Sequence, residues 1–595
     1  MAILDHSDRP NFLRAAVLLT GIAWTAPFLQ PYHRFPLTSF YSEWLAFALG
    51  LAAAVALLRR EPWREATVPI IALAPLGLAL VLALQVALNR VPYAEQALAG
   101  GLYLLWAALM ATLGHALGRR FTLDSIAMTL AWFLLAGGVL HALIGLVQYY
   151  DVSTPFNFTI AQRGEHGIHG NLAQPNHFGA SIALSLVSAA YLYSRGNLAA
   201  ALAAACAALF LVALALAGSR STWLHLVMLF ALALLLHRRR RDDASRRLAV
   251  FTGSLLPGFV VALWLVTLPM LLPAWGPLAP GERLFQIAGG IEPRLELWRE
   301  AWQLFLTAPI LGAGFGQFAW HHFLHHDPGS GVAGQAFGHA HNLVLHLMAE
   351  TGIAGTLLVA GAVLAWLAGL RRVHLDPAWW WLLSALAVIG IHSLLEYPLW
   401  YAYFLGPAAL LLGLGTQHAF PVRFAGAARA AVGLVVLAGC VNLAAVIPAY
   451  RAFEQLVFGT GSHASQSSSD QAFAEALMKV HHEPLLRPYV ELAIAYGASV
   501  DRELLEEKLE LVSRAQRFAP VEVVVFRQAQ LLALAGRAEA AREQLERSLR
   551  AYPHKRRAAV AELRILARLY PSEMAPLLEL AASKIAVERV SRDRK

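Results

Sequence analysis

Charged side chains are scarce in this chain. Lys, Arg, Asp and Glu make up 14% of its 595 residues, whereas 58% are hydrophobic. In soluble globular domains about a quarter of the residues are charged, so an ordinary soluble fold is excluded. Cysteine is also rare, and Cys206 and Cys440 both fall inside apolar runs, where they pack as small hydrophobic residues. The sequence therefore indicates neither a disulfide framework nor thiol chemistry.

Apolar runs recur that are long enough to cross about 30 Å of hydrocarbon, which takes roughly 20 helical residues. They lie near residues 12–29, 43–58, 68–88, 97–117, 126–149, 176–194, 198–217, 219–236, 248–272, 341–370, 379–395, 399–416 and 428–449. The first run lacks a small-x-small cleavage site, so we expect a retained anchor rather than a signal peptide. The predicted fold class is an all-α polytopic membrane protein with about thirteen transmembrane helices.

Basic residues set the predicted orientation, because short loops rich in Arg and Lys stay on the cytoplasmic side. With the N-terminus inside, most basic loops fall inside, including the densest run, Arg238–Arg241. Despite a formal net charge of +9, we interpret that run as a topology signal that contacts lipid headgroups, not nucleic acid. The polar loops and the C-terminal region then face outward, provided that the number of spans is odd.

The same pattern divides the chain into four consecutive parts. Residues 1–272 and 341–449 are predicted transmembrane regions, 273–340 a large outward loop, and 450–595 an outward helical domain. A flexible linker is predicted at 459–469. Beyond Val521, Ala and Leu spacing with a turn at Gly536 resembles a tetratricopeptide-type helical pair, which either recognises a partner protein or packs on the membrane part.

The start of the sixth predicted span is rich in neutral polar side chains. They are Asn171, Gln174, Asn176 and His177. Amides and a partly positive helix N-terminus suit a sugar or phosphate oxygen. An ordinary helix cap that uses Asn176 is the alternative.

Two outward arginines are candidates for phosphate binding. Arg220 joins two spans and has no acidic neighbour in sequence. Its planar guanidinium matches phosphate oxygens, although it can also reach lipid headgroups. Arg294 shares a helical face with Trp298 in the long loop, and the glycines of 312–316 would allow close backbone approach to a ligand.

Histidines gather at the end of the long loop. The first group comprises His321, His322, His325 and His326. No cysteine and no outward Asp-x-Asp pair accompanies it, so we expect no metal. His341 differs because it directly precedes Asn342 at the start of a span, close to His339. Imidazole titrates near neutral pH and suits a general base, whereas a solvated or hydrogen-bonded side chain is the alternative.

Several of these segments together resemble a known family. Four features carry the resemblance: Arg294 with Trp298, the Pro-x-x-Gly-x-Gly segment that follows, His341 with Asn342, and the tail 349–355. Together they resemble the core of the O-antigen ligase and polymerase superfamily, over roughly residues 130–400. Segments 170–177 and 396–404, with the helical C-terminus, resemble its PglL-type protein O-oligosaccharyltransferase branch.

That resemblance implies a bacterial inner-membrane enzyme whose active site and C-terminal domain face the periplasm. It would transfer an oligosaccharide en bloc from an undecaprenyl diphosphate carrier to Ser or Thr hydroxyls of pilin-like proteins, without a cofactor. The resemblance puts the catalytic histidine on His341 and the catalytic arginine on Arg220. The expected substrate contacts are Arg294, His339, Asn342, Asn171, Gln174, Asn176, His177, Glu396 and Tyr397.

The reaction agrees with these residue types. A departing diphosphate needs charge neutralisation, which Arg220 and Arg294 can supply without a metal, and a weakly nucleophilic hydroxyl needs a base such as His341. Three alternatives stay open: a ligase that acts on lipid A core, a polymerase that joins lipid-linked glycans, and a transporter of lipid-linked glycan. A transporter usually places its polar groups near the membrane midplane, whereas those of this chain gather at the outer helix ends.

Overall fold

The computed structural model describes residues 11–63, 67–162, 168–267, 292–325, 337–459, 477 and 480–592. The predicted linker from residue 460 onward, His326, and most of the loop between 268 and 336 lie outside these residues.

The described chain is built from helices. The first nine are α1 Asn11–Leu29, α2 Phe40–Ala54, α3 Leu73–Ala87, α4 Ala94–Gly118, α5 Leu123–Tyr150, α6 Pro175–Ser194, α7 Ala200–Ala217, α8 Ser221–Arg240 and α9 Asp243–Thr267. The next six are α10 Glu292–Thr307, α11 Phe318–His325, α12 Leu343–Gly369, α13 Pro377–Ser393, α14 Ala402–Leu414 and α15 Ala425–Gly459. The C-terminal region holds α16 Arg487–Gly497, α17 Leu505–Phe518, α18 Glu522–Leu534, α19 Ala538–Ala551, α20 Arg556–Leu569 and α21 Pro571–Arg592.

Every predicted apolar run coincides with one of these helices, which confirms the all-α class. Within the described residues, ten helices are long and apolar enough to cross a membrane. The helices α13 and α14 are shorter, with 17 and 13 residues, and the serine-rich α6 is not among the ten. The predicted count of thirteen spans is therefore not confirmed.

Contacts group the chain into two compact units, each assembled from segments that are distant in sequence. The first unit comprises Met1–Leu78, Tyr103–Ile287 and Leu357–Ala444, and the second comprises Ala79–Leu102, Ala288–Thr356 and Ala445–Lys595. These boundaries do not follow the four consecutive parts expected from the sequence.

Helix α6 is the centre of the first unit. It packs against α5, α7, α8, α9 and α13, and most of its residues are buried. Its serine hydroxyls bond to carbonyls inside the unit, as Ser185 does to Leu134 and Ser181 at 3.0 Å. A helix enclosed by protein on all sides can carry such hydroxyls because none of them meets lipid. In the same unit, the short strands β1 Thr67–Pro69 and β2 Ala419–Pro421 pair antiparallel.

The second unit holds the C-terminal helices. The predicted helical pair exists as α18 and α19, with Gly536 at φ +74° between them, while its tetratricopeptide assignment stays a prediction. The carboxylate of Glu491 accepts bonds from Tyr93 Oη at 2.8 Å, Arg514 Nε at 2.8 Å and Arg487 Nε at 3.1 Å. This network fastens the C-terminal helices to residue 93 in the early segment of the same unit.

Candidate functional site

Three segments that are distant in sequence meet at the N-terminus of α6. Pro175 occupies the first turn, and the side chain of Gln174 caps the helix by accepting from the His177 N–H at 2.7 Å. Asn176 Nδ2 donates to Glu396 Oε1 at 2.8 Å, and Gln174 Nε2 lies 3.4 Å from Glu396 Oε2. Ser219 Oγ donates to Asn176 Oδ1 at 2.9 Å. We call Gln174, Asn176, Ser219 and Glu396 the amide–carboxylate cluster.

Arg220 follows directly on this cluster. It is half-buried and precedes α8, and its neighbours Ser219 and Ser221 bond to each other at 2.9 Å. The Ser219 bond to Asn176 fixes the Arg220 backbone beside the amide–carboxylate cluster. The first unit thus brings the Arg220 turn together with Gln174, Asn176 and Glu396, which the sequence offered only as separate features.

His177 lies against an aromatic wall of the first unit. Its Nδ1 is 2.8 Å from His392 Nε2, so one ring donates and the other accepts. The rings of Tyr397 and Tyr401 lie 6.3 and 5.0 Å from it, centroid to centroid. Burial and the nearby Glu396 raise the pKa of Tyr397, so its phenol stays protonated and able to donate at neutral pH.

Asn171 lies just before α6, as predicted, but its side chain bonds to the protein backbone. It is 0% exposed, and its Nδ2 donates to the carbonyls of Leu29 at 2.7 Å and Thr159 at 2.8 Å, while Oδ1 accepts from Ala161 N at 2.9 Å. All of its strong donor capacity is used inside the protein. Asn171 therefore has a structural role, because this amide closes the loop before α6, while its substrate contact stays a prediction.

The remaining predicted residues belong to the second unit. His341 is half-buried and has φ +50°, in the left-handed region that costs an ordinary residue about 1–2 kcal/mol. Asn342 follows it and caps α12, since its Oδ1 accepts from the N–H groups of Val344 and Leu345, both at 3.1 Å. A substrate contact for Asn342 stays a prediction, but its oxygen is already engaged in the cap.

His339 lies on the other side of His341. It is half-buried, and its ring centroid is 5.1 Å from that of His346. Burial, together with the neighbouring His346 and His341, holds the pKa of His339 well below its usual value. His339 is therefore neutral at physiological pH and suited to hydrogen bonding rather than to charge neutralisation.

Helix α10 shares a small core with the residues around the start of α12. Its buried residues Leu297, Ala301 and Leu304 form one small core with Ala340 and with others of the unit. Arg294 stands one turn before Leu297 on the same helical face. The helix that carries Arg294 is thus packed on the segment that carries His341.

The glycine-rich turn has a different use from the one expected. Gly312 and Gly314 have φ +69° and +122°, and α12 is broken at Gly352, with φ +63°. Ala313 N donates to the Ala349 carbonyl at 2.9 Å, and Gly314 N donates to the Glu350 carbonyl at 3.2 Å. The close backbone approach that these glycines allow is made by the chain itself at the break in α12, and an approach to a ligand stays a prediction.

One histidine of the first group in the long loop lies beside a carboxylate. His322 Nδ1 lies 2.6 Å from Glu300 Oε2. Burial and the nearby His325 lower the pKa of His321 to about 4, so it is uncharged at neutral pH. Within the described ranges, no group of three His, Cys, Asp or Glu side chains could hold a metal ion. Independence from metal remains a prediction.

Two buried residues of this region were not among the predicted site residues. His346 is 2% exposed and Glu350 is 1% exposed, and His346 Nε2 lies 3.3 Å from Glu350 Oε2. Their spacing of four residues places both on one helical face, which is the signal that could have found them.

Two stretches of the chain are similar to known protein families. Residues 205–360, which include Arg220, Arg294 and His341, match the family described as O-Antigen ligase. Residues 380–564, which include Glu396 and Tyr397, match the family described as Virulence factor membrane-bound polymerase, C-terminal.

Two relatives come from Acinetobacter baylyi. A General O-oligosaccharyltransferase is 28% identical over 403 residues, which is 67% of this chain and 69% of the relative. A ComP-specific O-oligosaccharyltransferase is 25% identical over 299 residues, about half of each protein at 50% and 52%. The chain is thus similar to members of the O-antigen ligase superfamily. The resemblance predicted from its motifs, including the PglL-type branch, is thereby confirmed.

Proposed function

We propose that this protein is a glycosyltransferase that moves an oligosaccharide en bloc from undecaprenyl diphosphate to Ser or Thr hydroxyls of periplasmic, pilin-like proteins. The observation that carries the proposal is that Arg220, Arg294 and His341 all lie in the stretch matched by the O-Antigen ligase family. The names of both relatives, each an O-oligosaccharyltransferase, favour a protein acceptor over lipid A core.

In the proposed reaction, His341 takes the proton of the acceptor hydroxyl as its oxygen attacks the anomeric carbon. The bond from that carbon to the diphosphate oxygen breaks, and the carrier leaves with the electron pair. Arg220 and Arg294 neutralise the charge that grows on the departing diphosphate, a task that planar guanidinium groups perform through paired hydrogen bonds. No metal is required for this charge balance.

The amide–carboxylate cluster fixes the turn that carries Arg220. Glu396 accepts from Asn176, which in turn accepts from Ser219, so the turn is held by a chain of buried bonds. A guanidinium on a fixed backbone loses less side-chain freedom when it binds phosphate. We propose that the phenol of Tyr397 and the imidazoles of His177 and His339 contact sugar hydroxyls.

Glycan transfer by purified protein in liposomes tests this assignment. The assay uses a lipid-linked glycan with an acceptor pilin, lipid A core or a second lipid-linked glycan. We expect transfer to the pilin, and His341→Ala should abolish it, whereas His325→Ala, which alters an exposed histidine of the same unit, should retain it. Transfer only to lipid A core or to glycan would instead identify a ligase or a polymerase, and normal transfer by His341→Ala would remove His341 from the mechanism.

A second variant tests the donor site. Arg220→Lys keeps the positive charge but loses the planar pair of donors, so the donor KM should rise by about tenfold, the equivalent of one charge-assisted hydrogen bond. Unchanged donor kinetics would show that Arg220 only anchors its helix.

The proposal also requires His341 to face the periplasm of the bacterial inner membrane. A cysteine placed at position 341 in otherwise cysteine-free protein should react with an impermeant maleimide added to spheroplasts. Labelling only after the membrane is opened would place this residue on the cytoplasmic side and overturn the proposal.

A further inference from the structure

We propose that His346, held by Glu350, is a positioning residue that sets the conformation of the His341 backbone for proton abstraction. This inference rests on the proposed function, in which His341 is the base. It assigns a task to a buried pair that the reaction itself does not use.

The contact that carries the inference joins His346 to the residue just before the base. The Ala340 N–H donates to His346 Nδ1 at 3.3 Å. Because Nδ1 accepts, a neutral His346 ring carries its proton on Nε2, which lies 3.3 Å from Glu350 Oε2. A histidine whose second nitrogen faces a carboxylate keeps one tautomer and one ring orientation.

Glu350 is itself immobilised. Its Oε2 accepts from Gly316 N at 2.8 Å and its Oε1 accepts from Phe318 N at 3.1 Å, at the start of α11. The Glu350 backbone carbonyl accepts from Gln85 Nε2 at 2.7 Å. A buried carboxylate that accepts from two backbone N–H groups is held in one position, so it provides a rigid support for the His346 ring.

These anchors lie on both sides of a strained residue. His341 has φ +50°, a conformation that persists only where the surroundings impose it. Asn342 holds the following residues through the cap on α12, and His346 holds the preceding Ala340. Removing either anchor frees the backbone to relax and turns the imidazole of His341 away from its acceptor.

Two substitutions at His346 distinguish the roles of its two ring nitrogens. Asparagine places its oxygen near the former Nδ1 and can still accept from Ala340, whereas glutamine reaches the position of Nε2 and leaves the Ala340 N–H without its acceptor. We expect His346→Gln to lower kcat by about tenfold to a hundredfold with an unchanged donor KM. His346→Asn should retain most of the activity.

A matched control comes from Gln85, which is buried in the same unit. It holds the glycine-rich turn through Leu311 and Phe315 and also donates to the Glu350 carbonyl, but it contacts neither the His346 ring nor Ala340. The melting temperature and kcat of Gln85→Ala show how much activity general loosening of this region removes. His346→Gln should lose more activity than Gln85→Ala at equal or smaller loss of melting temperature.

Azide supplies a readout that a purely structural role would not change. This anion has no proton to lose, so its attack on the anomeric carbon gives a glycosyl azide and free undecaprenyl diphosphate without a base. Both His341→Ala and His346→Gln should release glycan to azide at the wild-type rate. Loss of azide attack in His346→Gln, or its normal kcat with the pilin, would overturn the inference. An inactive wild-type protein, or a fully active His341→Ala, would instead overturn the proposed function.

Discussion

The break in α12 gives the sharpest test of this fold, through the substitution Gly352→Ala. Gly352 has φ +63° and ψ −164°, a combination that is essentially restricted to glycine. A Cβ added there would overlap the Ile310 carbonyl oxygen and would lie 2.6 Å from Gly312 N. Both atoms are backbone, so neither can rotate aside.

The cost follows from these contacts. The unfavourable backbone conformation costs about 1–3 kcal/mol. Displacement of the turn also weakens the bonds from Ile353 N to the Pro309 carbonyl at 2.8 Å and from Ala354 N to the Ile310 carbonyl at 3.1 Å. At about 1 kcal/mol each, the total reaches about 3–5 kcal/mol. For a unit of this size, that lowers the melting temperature by at least about 6 °C.

Gly361→Ala is the matched control, because Gly361 lies in the same helix and its added Cβ meets no atom within 4 Å. It should stabilise the helix by about 0.5–1 kcal/mol. The assay is thermal unfolding of both purified variants in detergent, followed by size-exclusion chromatography with fluorescence detection. If Gly352→Ala melts within about 1 °C of Gly361→Ala, the interlocked turn and helix break are refuted.

Two further predictions concern Asn342 and Glu491. Asn342→Ala should lower the free energy of unfolding by about 1 kcal/mol, because it removes the helix cap. Asn342→Asp keeps the cap and should keep glycan transfer. Loss of donor binding in both variants would show that Asn342 contacts the substrate instead. Burial raises the pKa of Glu491, but bonds from Arg514 and Tyr93 outweigh it and the pKa falls below the ordinary value. The stabilisation by Glu491 is therefore complete above its ordinary pKa of 4.5 and is lost as the pH falls through the lower folded pKa. After brief acid exposure, trypsin should cleave the C-terminal helices of the native protein more readily. Glu491→Gln should remove this pH dependence. If that variant stays acid-sensitive, Glu491 is excluded as the source.

The helices could be predicted because apolar runs report directly on burial and length. Which helices become neighbours could not, since the runs resemble one another. Helix α6 shows the limit: its length fitted a span, but its serines reflect enclosure by protein, which depends on helices up to α13. Gln174 and Glu396 were each candidates, yet only the fold shows that they meet.

The glycine-rich turn could be recognised as a place of close approach, but the sequence does not say what approaches. Gly312 meets the backbone of Glu350 because α12 breaks at Gly352, some forty residues later. The structural role of Asn171 could not be predicted for a related reason, because the sequence does not distinguish an amide that bonds to three backbone groups from one that binds sugar. His346 and Glu350 carried a readable spacing, which became informative only once their burial was known.

The bond between Tyr93 and Glu491 joins residues 398 positions apart. At roughly 5–20 residues per second, a ribosome needs about 20–80 s to travel from one to the other. During that interval the early segment lacks its contacts with the C-terminal helices. The side of α11 that carries Phe323 stays exposed, because the C-terminal residues that pack on it have not been made. This unit is therefore completed only after its C-terminal helices have been synthesised. A nonsense mutation late in the gene would damage a region that, at the slower rate, was made more than a minute earlier.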